Sequence, residues 1–417
     1  MRSHPLTNVC HVCGAPNPSL VMDLGDMAVA NAYLEATPEA AAAEEKWPLA
    51  VQFCENCKVM HVRDPAPAHA LFTPDYAYFS SFSTTWLSHA AKFAQRAIER
   101  QALGGESFVV EVGSNDGYLL RNFVEADVPC LGVDPAAVCA EAARRVGVET
   151  YTAFFDEDTA KTVRSRHGTA DLIVANNVLA HVPDVNGFLA GVDCLLSPDG
   201  VVSFEFPHLS ALIDGAQFDT IYHEHYSYFS LTAVSGLLAR HGLAVSDVEM
   251  LSTHGGSLRV TASRTPNRAT SSVHDVMARE SRAGLNRAGG VKALVSRANG
   301  RKEAFKAFLA THSDAVIAAY GAAAKGNTFS QYCGVGTNDI AFIADKNPAK
   351  QGRLAPGSHI PIVAPSVIGD VRPDFLVILP WNLRDEIMYE QRHIADWGGA
   401  FVLAEDGVEI LSAERAA

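Results

Sequence analysis

Phe108-Val-Val-Glu-Val-Gly-Ser-Asn-Asp-Gly117 is the stretch of sequence that decides the fold. Residues 108–112 form an apolar run with the length of a buried strand, and the two glycines allow a sharp turn into a helix. A strand, a glycine loop and a helix in this order are typical of the first unit of a doubly wound α/β sheet. The loop does not read GxGxxG, so a dinucleotide pyrophosphate is not its expected ligand.

The same alternation of strand and helix continues downstream. Strands are predicted at 130–133, 171–175 and 201–205, and helices at 118–126, 136–146 and 188–196. A helical pattern over 86–102 precedes the glycine loop. The rhythm predicts an α/β fold with a parallel sheet covered on both faces, within a central domain spanning residues 71–270.

Acidic residues around the glycine loop indicate the ligand. Glu111 precedes the loop and Asp116 lies within it, where both would repel a pyrophosphate but suit an ammonium and a sulfonium. Asp134 ends the next strand, about 20 residues further on, where a carboxylate meets ribose hydroxyls. The pattern predicts an S-adenosylmethionine site, the alternative being a glycine turn of structural use alone. The residues expected to line it are Glu111, Gly113, Asn115, Asp116, Gly117, Asp134 and Asn176.

Tyr222-His-Glu-His-Tyr226 is the candidate reaction centre. Two imidazoles, a carboxylate and two phenols stand in five residues, and histidine is the side chain that titrates nearest neutrality. Asn177 and His181 follow strand 171–175 and are expected on the same rim, because ligands bind at the carboxyl ends of parallel strands. The alternatives are a polar loop, or His223 and His225 as half of a metal site.

Two CxxC pairs, Cys10/Cys13 and Cys54/Cys57, predict a separate N-terminal module over residues 1–70. Four thiolates in two such pairs are the ligand set of a closed, tetrahedral structural zinc site. Disulfides are disfavoured in a reducing cytosol, and a redox CxxC would not need a second pair.

The C-terminal third predicts a second, smaller α/β domain, within residues 271–417. A charged helical bridge over 270–312 is followed by strands at 315–320, 340–344 and 375–379. Between the first two strands lies Tyr320-Gly-Ala-Ala-Ala-Lys-Gly-Asn327, a glycine loop with a lysine at a helix start, which suits a diphosphate. A packing role for Gly326 is the alternative.

Composition narrows the function classes. A formal net charge of −14 argues against a nucleic-acid partner, because phosphate binding normally requires a basic excess. The sequence has no apolar run of about 20 residues and no apolar stretch near Met1, so neither a membrane span nor export is expected. We therefore expect a cytoplasmic protein, and no obligate protein partner is evident.

Taken together, these motifs resemble those of the S-adenosylmethionine-dependent C-methyltransferases that act on nucleotide-linked 4-keto-deoxysugars. The resemblance rests on the four paired cysteines, the 111–117 loop, the 176–181 loop, the 222–226 motif and the C-terminal α/β domain. It is greatest to the C-3 methyltransferases of the dTDP-tetronitrose pathway, a route of antibiotic-sugar biosynthesis. The resemblance implies a Rossmann-like methyltransferase domain between a zinc-binding module and a nucleotide-sugar-binding domain.

The resemblance also implies a reaction and roles for individual residues. A methyl group would pass to C-3 of a dTDP-linked 3-amino-2,3,6-trideoxy-4-keto-hexose, through an enolate that the ketone makes accessible. His225 is the expected base and Glu224 orients or polarises a neighbouring imidazole. Candidates for enolate contacts and substrate placement are Tyr222, Tyr76 and His181. The residues expected to bind the rest of the substrate are Asn177, Lys325, Asn327, Asp345 and Lys350.

Several alternatives remain open from the sequence. The ketone acidifies both C-3 and C-5, and the sugar need not carry an amino group. An RNA methyltransferase with a zinc-ribbon clamp would also combine four cysteines with a cofactor domain, although the acidic charge opposes it. Two further alternative functions remain: a non-enzymatic protein that binds a nucleotide-linked sugar, and a metallohydrolase using His223 and His225.

Overall fold

A seven-stranded sheet forms the centre of the computed structural model, which describes residues 8–66, 71, 79–264, 269–405 and 407–413. From one edge to the other the strands lie in the order Ala244–Leu251, Ser257–Ser263, Leu196–Pro207, Ala170–Asn176, Val109–Val112, Cys130–Val133 and Thr150–Tyr151. Neighbouring strands are parallel except at Ser257–Ser263, which is antiparallel to both of its neighbours. The strand order reverses at Val109–Val112, so the ligand crevice is expected beyond its carboxyl end.

Helices flank this sheet; four were predicted and differ modestly in their bounds, whereas Glu157–His167, Leu209–Asp214 and Leu231–Arg240 were not predicted. The flanking helices are Thr84–Gln101, Arg121–Glu125, Ala137–Arg145, Glu157–His167, Val185–Leu195, Leu209–Asp214 and Leu231–Arg240. Short 3₁₀ turns lie at Ser80–Phe82, Leu179–His181, Phe218–Thr220 and Thr253–Gly255. The helix predicted at 118–126 is shorter because residues 118–120 belong to a turn. The antiparallel pair was not predicted, since Ala244–Leu251 is a half-exposed edge strand with only one buried residue.

The N-terminal module is an antiparallel sheet that extends into the central domain. Its elements are the strands Ser19–Ala28, Leu34–Glu35, Lys46–Phe53 and Met60–Val62, with a short helix at Pro38–Ala42. The strand Ser227–Tyr228, directly after the 222–226 motif, pairs with Met60–Val62. The candidate reaction centre therefore leads into the sheet of this module.

The C-terminal region confirms the expected second α/β domain. Its helices are Ser271–Arg282, Ala288–Val291, Ala293–Thr311, Ala324–Cys333, Val367–Val371 and Arg384–Glu390, with 3₁₀ turns at Trp381–Leu383 and Arg392–Trp397. A six-stranded sheet has the order Ile362–Val363, Ile343–Ala344, Ile317–Tyr320, Phe375–Ile378, Ala400–Leu403 and Glu409–Ser412. The strand Arg353–Leu354 pairs instead with Leu34–Glu35 of the N-terminal module.

The three regions share one apolar core, which fixes their relative positions. Buried Phe53 of the N-terminal module, Phe218 of the central domain and Phe329 of the C-terminal domain belong to the same packed cluster. Within the described ranges, no helix is both long and apolar enough to cross a membrane. The boundaries of the three domains given above stay a prediction.

Candidate active site

The glycine loop packs closely against the loop that follows Ala170–Asn176. Gly113 adopts φ +67°, and a Cβ at this position would lie 2.5 Å from Cγ2 of Val178. Gly117 also has a positive φ, and its own Cβ would meet Val146 and Val148 at 3.1 Å. Only glycine relieves both the backbone strain and the close approach, which explains the spacing of the two glycines.

Acceptor atoms without partners surround this loop. Oδ1 of Asp116 and Oδ1 of Asn176 are buried and make no hydrogen bond with a described residue, and the fully buried carboxylate of Glu111 has the Tyr118 hydroxyl as its neighbour. Burial raises the pKa of Glu111 well above its usual range, which shows how unfavourable the bare carboxylate is here. Such a set of unpaired acceptors fits a cationic, donor-rich ligand such as S-adenosylmethionine, and does not fit a pyrophosphate.

Asp134 lies at the end of Cys130–Val133, beside the glycine loop. Its two oxygens accept hydrogen bonds from the main-chain amides of Asn115, at 2.9 Å, and Ala136, at 2.8 Å. Burial raises the pKa of this carboxyl group. The two amides fix the position of the carboxylate, and its contact with the ribose of a cofactor stays a prediction.

A short segment before the helix Thr84–Gln101 covers the loop. The amide of Ser80 donates to Oδ1 of Asn115 at 2.9 Å, and the amide of Ser81 donates to Oδ2 of Asp116 at 3.1 Å. Sequence reasoning gave Asn115 and Asp116 to the cofactor but not to this contact. Tyr76 lies outside the described residues, so its expected role stays a prediction.

The hydrogen bonds of His225 define its tautomer. Nδ1 lies 2.8 Å from the carbonyl oxygen of Thr220, and Nε2 lies 2.8 Å from the hydroxyl of Tyr222. Because a carbonyl only accepts, Nδ1 carries the proton and Nε2 accepts from Tyr222. Burial lowers the pKa of His225 well below its usual value, so the ring is neutral at neutral pH and Nε2 keeps a lone pair that can accept a proton.

Glu224 and His181 lie beside this pair. Both carboxylate oxygens of Glu224 accept from Nδ2 of Asn31 at 2.9 Å, and burial raises the pKa of Glu224 to about 7. The ring centroids of His181 and His225 are 4.6 Å apart, and burial lowers the pKa of His181 to about 4. The structure therefore brings Tyr222, Glu224, His225 and His181 together.

His223 faces away from the other groups of the motif. Its Nε2 lies 3.1 Å from the carbonyl oxygen of Trp47, in the N-terminal module. Across the part of the chain that the structure describes, the four paired cysteines are the one group of three or more His, Cys, Asp and Glu side chains that could hold a metal ion. The arrangement gives no support to a metal site on His223 and His225.

Two residues of this crevice were missed by sequence reasoning. Nε2 of His254 lies 3.2 Å from Nδ2 of Asn177, and both residues have left-handed backbone, with φ of 54° and 56°. Glu205 is fully buried and contacts His89 at 2.8 Å and Arg259 at 2.6 Å. Glu205 ends the predicted strand 201–205 and could have been found from that position. His254 follows an unpredicted strand and had no such signal.

The C-terminal residues predicted to bind substrate fall into two groups. Asp345 and Lys350 bind the backbone of the glycine loop: Oδ2 of Asp345 accepts from the amide of Ala322, and Nζ of Lys350 donates to its carbonyl, both at 2.8 Å. Asn327 is fully buried and donates to the carbonyl of Ala30 at 2.7 Å. Lys325 instead lies close enough to His225 to lower the pKa of that ring.

The four paired cysteines form a compact cluster apart from the crevice. Their sulfur atoms lie within 4.8 Å of one another, with Cys10 to Cys57 and Cys13 to Cys54 both at 3.6 Å. Tetrahedral zinc with Zn–S bonds of about 2.3 Å requires sulfur pairs about 3.8 Å apart. The four thiols fit a structural zinc ion.

Comparisons with known proteins identify the class. Three family profiles match in sequence order: a zinc binding domain over residues 10–72, a methyltransferase domain over 86–248 and a "C-methyltransferase C-terminal domain" over 252–404. With the acceptor-lined glycine loop and the four-cysteine cluster, they define an S-adenosylmethionine-dependent methyltransferase that carries a structural zinc site.

The family is shown by a match over nearly the whole chain. The sequence is 34% identical over 409 residues to the C-methyltransferase NovU of Streptomyces niveus, covering 97% of each protein. The chain belongs to this family of C-methyltransferases.

Other similarities are partial. A ubiquinone biosynthesis O-methyltransferase of Haemophilus ducreyi is 26% identical over 141 residues, covering 32% of this chain and 58% of that protein. The crystal structure of magnesium protoporphyrin IX methyltransferase from Synechocystis, with bound S-adenosylmethionine, is similar with a TM-score of 0.34 and 15% identity. It covers 43% of this chain and 79% of that one.

Proposed function

We propose that the enzyme transfers a methyl group to C-3 of a dTDP-linked 3-amino-2,3,6-trideoxy-4-keto-hexose, through an enolate. The observation that carries the proposal is the Tyr222–His225 pair, in which Nε2 of a neutral imidazole accepts from a phenol at 2.8 Å. A base of this kind is what removal of an α-proton from a keto-sugar requires. The choice of sugar rests on the resemblance set out above, and the family match supports methylation at carbon.

Proton removal is assigned to His225, with Tyr222 as its neighbour toward the crevice. Nε2 of His225 already accepts from the Tyr222 hydroxyl, so the α-proton reaches Nε2 through that hydroxyl: Tyr222 passes its own proton to His225 and takes the one from carbon. Thr220 holds Nδ1–H and keeps the ring in the basic tautomer. His181 and Glu224 contact the sugar or orient Tyr222 and His225. Tyr76 is also assigned to contact with the sugar.

S-adenosylmethionine is assigned to the crevice beyond Val109–Val112 and supplies the methyl group. Glu111, Asp116 and Asn176 offer buried acceptors to its ammonium and sulfonium end, and Asp134 accepts from the ribose hydroxyls. Asn115 and the two loop glycines shape the backbone that approaches it. Burial of these acceptors keeps water away from the reacting groups.

The nucleotide half of the substrate is assigned to the C-terminal domain. Asp345 and Lys350 fix the backbone of the 320–327 loop, and Asn327 anchors the start of its helix to the N-terminal module. Lys325 contacts an anionic oxygen of the substrate, and Asn177, paired with His254, contacts the sugar.

The test is a panel of dTDP-4-keto-sugars, with and without a 3-amino group, incubated with the enzyme and S-adenosylmethionine. Mass spectrometry reports methylation and NMR of the product locates the new methyl group. We expect a single methyl at C-3 of the 3-amino-2,3,6-trideoxy sugar. A methyl at C-5, or a preference for a sugar without the amino group, would replace the assigned substrate. Methylation of RNA in place of every sugar would overturn the proposal.

A further inference from the structure

Lys325 brings a positive charge from the C-terminal domain to the reaction crevice. It lies in the first turn of the helix Ala324–Cys333, and its charge contributes to lowering the pKa of both His225 and His254. These histidines come from two different loops of the central domain. The ammonium group therefore lies within electrostatic range of the proposed base and of the Asn177–His254 pair.

The position of the ammonium group is fixed by its neighbours. Nζ of Lys325 donates to Oδ1 of Asn382 at 2.7 Å and lies 4.3 Å from the ring centre of Trp381. Trp381 donates from Nε1 to Asp219 at 2.9 Å and packs on Gly255, where a Cβ would lie 2.2 Å from the indole. The indole has no room to shift toward the 253–255 loop, so the lysine is held beside His254.

This cation has no anionic partner among the described residues. No carboxylate oxygen there lies within 4.0 Å of Nζ, and Asp219 is engaged by Trp381 and by Arg301 at 3.2 Å. An ammonium group taken out of water without a counter-ion is unfavourable, and burial lowers the pKa of Lys325 to about 8. Asn382 accepts from one of the three N–H groups of the Lys325 ammonium, so two N–H groups are left for a ligand.

We propose that Lys325 contacts the carbonyl oxygen of the substrate and stabilises the negative charge that this oxygen acquires when the enolate forms. The inference rests on the proposed function, since it requires a keto-sugar. In this step the C–H bond at the α-carbon breaks and its proton passes through Tyr222 to His225. The electron pair of that bond forms the carbon–carbon double bond, and the π pair of the carbonyl moves onto oxygen, where Lys325 meets it. Lys325 is then a catalytic residue supplied by the C-terminal domain.

Lys325 could instead contact the diphosphate, which is the other anionic group of the substrate. A contact with the enolate oxygen and a contact with the diphosphate predict different results. A contact to the enolate oxygen acts mainly on the transition state, and so on turnover at saturating substrate. A contact to the diphosphate acts on the binding of any dTDP compound. Binding of dTDP alone and deuterium exchange at the α-carbon therefore separate them.

The experiment compares Lys325→Met with Lys306→Met, which removes an exposed lysine from the helix Ala293–Thr311. For each protein, calorimetry gives the affinity for dTDP, and NMR in D₂O gives the rate of α-hydrogen exchange on the saturating keto-sugar. We expect Lys325→Met to slow exchange and turnover by roughly 100- to 1,000-fold, the range for removing one oxyanion contact, with dTDP affinity within about twofold of wild type. Lys306→Met should match wild type in both measurements.

Other outcomes overturn the inference in distinct ways. A loss of dTDP affinity of about tenfold or more with normal exchange would assign Lys325 to the diphosphate, and unchanged exchange and affinity would remove it from the site. If the wild type binds S-adenosylmethionine but neither exchanges nor methylates any dTDP-4-keto-sugar, the proposed function itself fails.

Lys325→Arg keeps the positive charge and serves if the methionine variant does not fold. Turnover of the wild type should fall as the pH rises through about 8, because the ammonium loses its proton there, and the arginine variant should not show this fall. The charged and titratable groups around Lys325 are Asp219, Arg301, His225 and His254. Both histidines have lowered pKa values, so neither titrates in this range. An identical fall in the arginine variant would contradict the assignment.

Discussion

The zinc module and the C-terminal domain both approach the Tyr222–Tyr226 loop, but they act on it by different means. The zinc module holds the loop through hydrogen bonds: Asn31 binds Glu224, Trp47 accepts from His223, and Met60–Val62 pairs with the strand that follows. The C-terminal domain reaches the same place through the charge of Lys325. One region fixes the position of the loop, and the other adds a charge beside His225.

This difference separates positioning from chemistry. A loop that continues into the sheet of a second module has its position fixed by that pairing, as a proton transfer requires. A single long side chain, held by Asn382 and Trp381, adds charge without constraining that backbone. Damage to the zinc module should therefore disturb stability and catalysis together, whereas removal of the Lys325 charge should act mainly on catalysis.

Breaking the zinc site should have the largest effect. Cys54→Ser removes one of four thiolates from a cluster that holds a structural metal, and such metal sites contribute about 10 kcal/mol or more to the folding of their domains. We expect the variant to lose its zinc, to unfold at a lower temperature and to lose most of its turnover, because the 222–228 segment loses its partner sheet.

Metal analysis, thermal denaturation and turnover test this expectation. The matched control is Cys194→Ser, which changes a cysteine outside the cluster and should keep one zinc per chain. Wild-type protein purified without chelator that contains no zinc would contradict the assignment. Full turnover in zinc-free Cys54→Ser would show that the module does not position the loop.

Removing the base should come next and should spare stability. His225→Asn keeps a polar side chain but cannot accept a proton, so turnover should fall by roughly 100- to 10,000-fold, the range for general-base catalysis. Solvent deuterium exchange at the methylated carbon should stop as well, while the affinity for S-adenosylmethionine stays nearly intact. Kinetics, NMR in D₂O and calorimetry measure these three quantities.

A control variant and variants of neighbouring residues test whether the effect is specific to His225. His241→Asn alters a partly exposed histidine at the end of Leu231–Arg240 and should retain wild-type rates. Tyr222→Phe should slow exchange about as severely as His225→Asn, because the α-proton reaches His225 through the Tyr222 hydroxyl. Exchange at near wild-type rate in His225→Asn would reassign the base, with Glu224 or His181 next.

The pH dependence of stability sharpens the contribution of the zinc module. Burial raises the pKa of Glu224 to about 7, so the folded protein holds a proton that the unfolded chain releases above about 4.5. The contribution of Glu224 to the free energy of unfolding should therefore fall by about 3 kcal/mol at most as the pH rises from about 4.5 to 7, and it should not recover above pH 7. Glu224→Gln cannot ionise and should remove this loss.

Thermal denaturation at pH 5 and pH 8 measures the loss of stability that ionisation of Glu224 causes. The difference in melting temperature between Glu224→Gln and wild type should be small at pH 5 and should favour the variant at pH 8. Glu141→Gln, an exposed carboxylate on Ala137–Arg145, should show no such trend. A constant difference between the two pH values would mean that Glu224 is not a buried, neutral acid.

Much of the fold followed from the sequence because its parallel strands are buried on both faces. Cys130–Val133 was predicted with its observed bounds, and Ala170–Asn176 within one residue at each end, since continuous apolar runs leave little ambiguity. Ala244–Leu251 escaped prediction because an edge strand carrying Asp247 and Glu249 lacks that pattern. Ser257–Ser263 is buried, but Arg259 interrupts its short apolar run.

The site was predictable where its residues share a loop, and not where distant segments meet. Tyr222, Glu224 and His225 lie in one motif, so their chemistry could be inferred together. Asn31 on Glu224 and Trp381 on Gly255 are contacts between residues more than a hundred positions apart, which no local pattern encodes. The role of Lys325 depends on such a contact as well, since its helix start alone suggested a diphosphate.

The smallest effect is expected at Asp134. This residue serves as a control for the two flanking regions, because its hydrogen bonds are to Asn115 and Ala136 within the central domain. Asp134→Ala should weaken S-adenosylmethionine binding by roughly 1.5–3 kcal/mol, the range for hydrogen bonds to a charged group, or about 10- to 150-fold in affinity. Asp134→Asn keeps one oxygen acceptor and should fall between the alanine variant and wild type. Calorimetry with the cofactor measures both, and Lys325→Met should bind it as wild type does. Unchanged affinity in Asp134→Ala would place the cofactor elsewhere, and an equal loss in Lys325→Met would mean that the C-terminal domain also holds the cofactor.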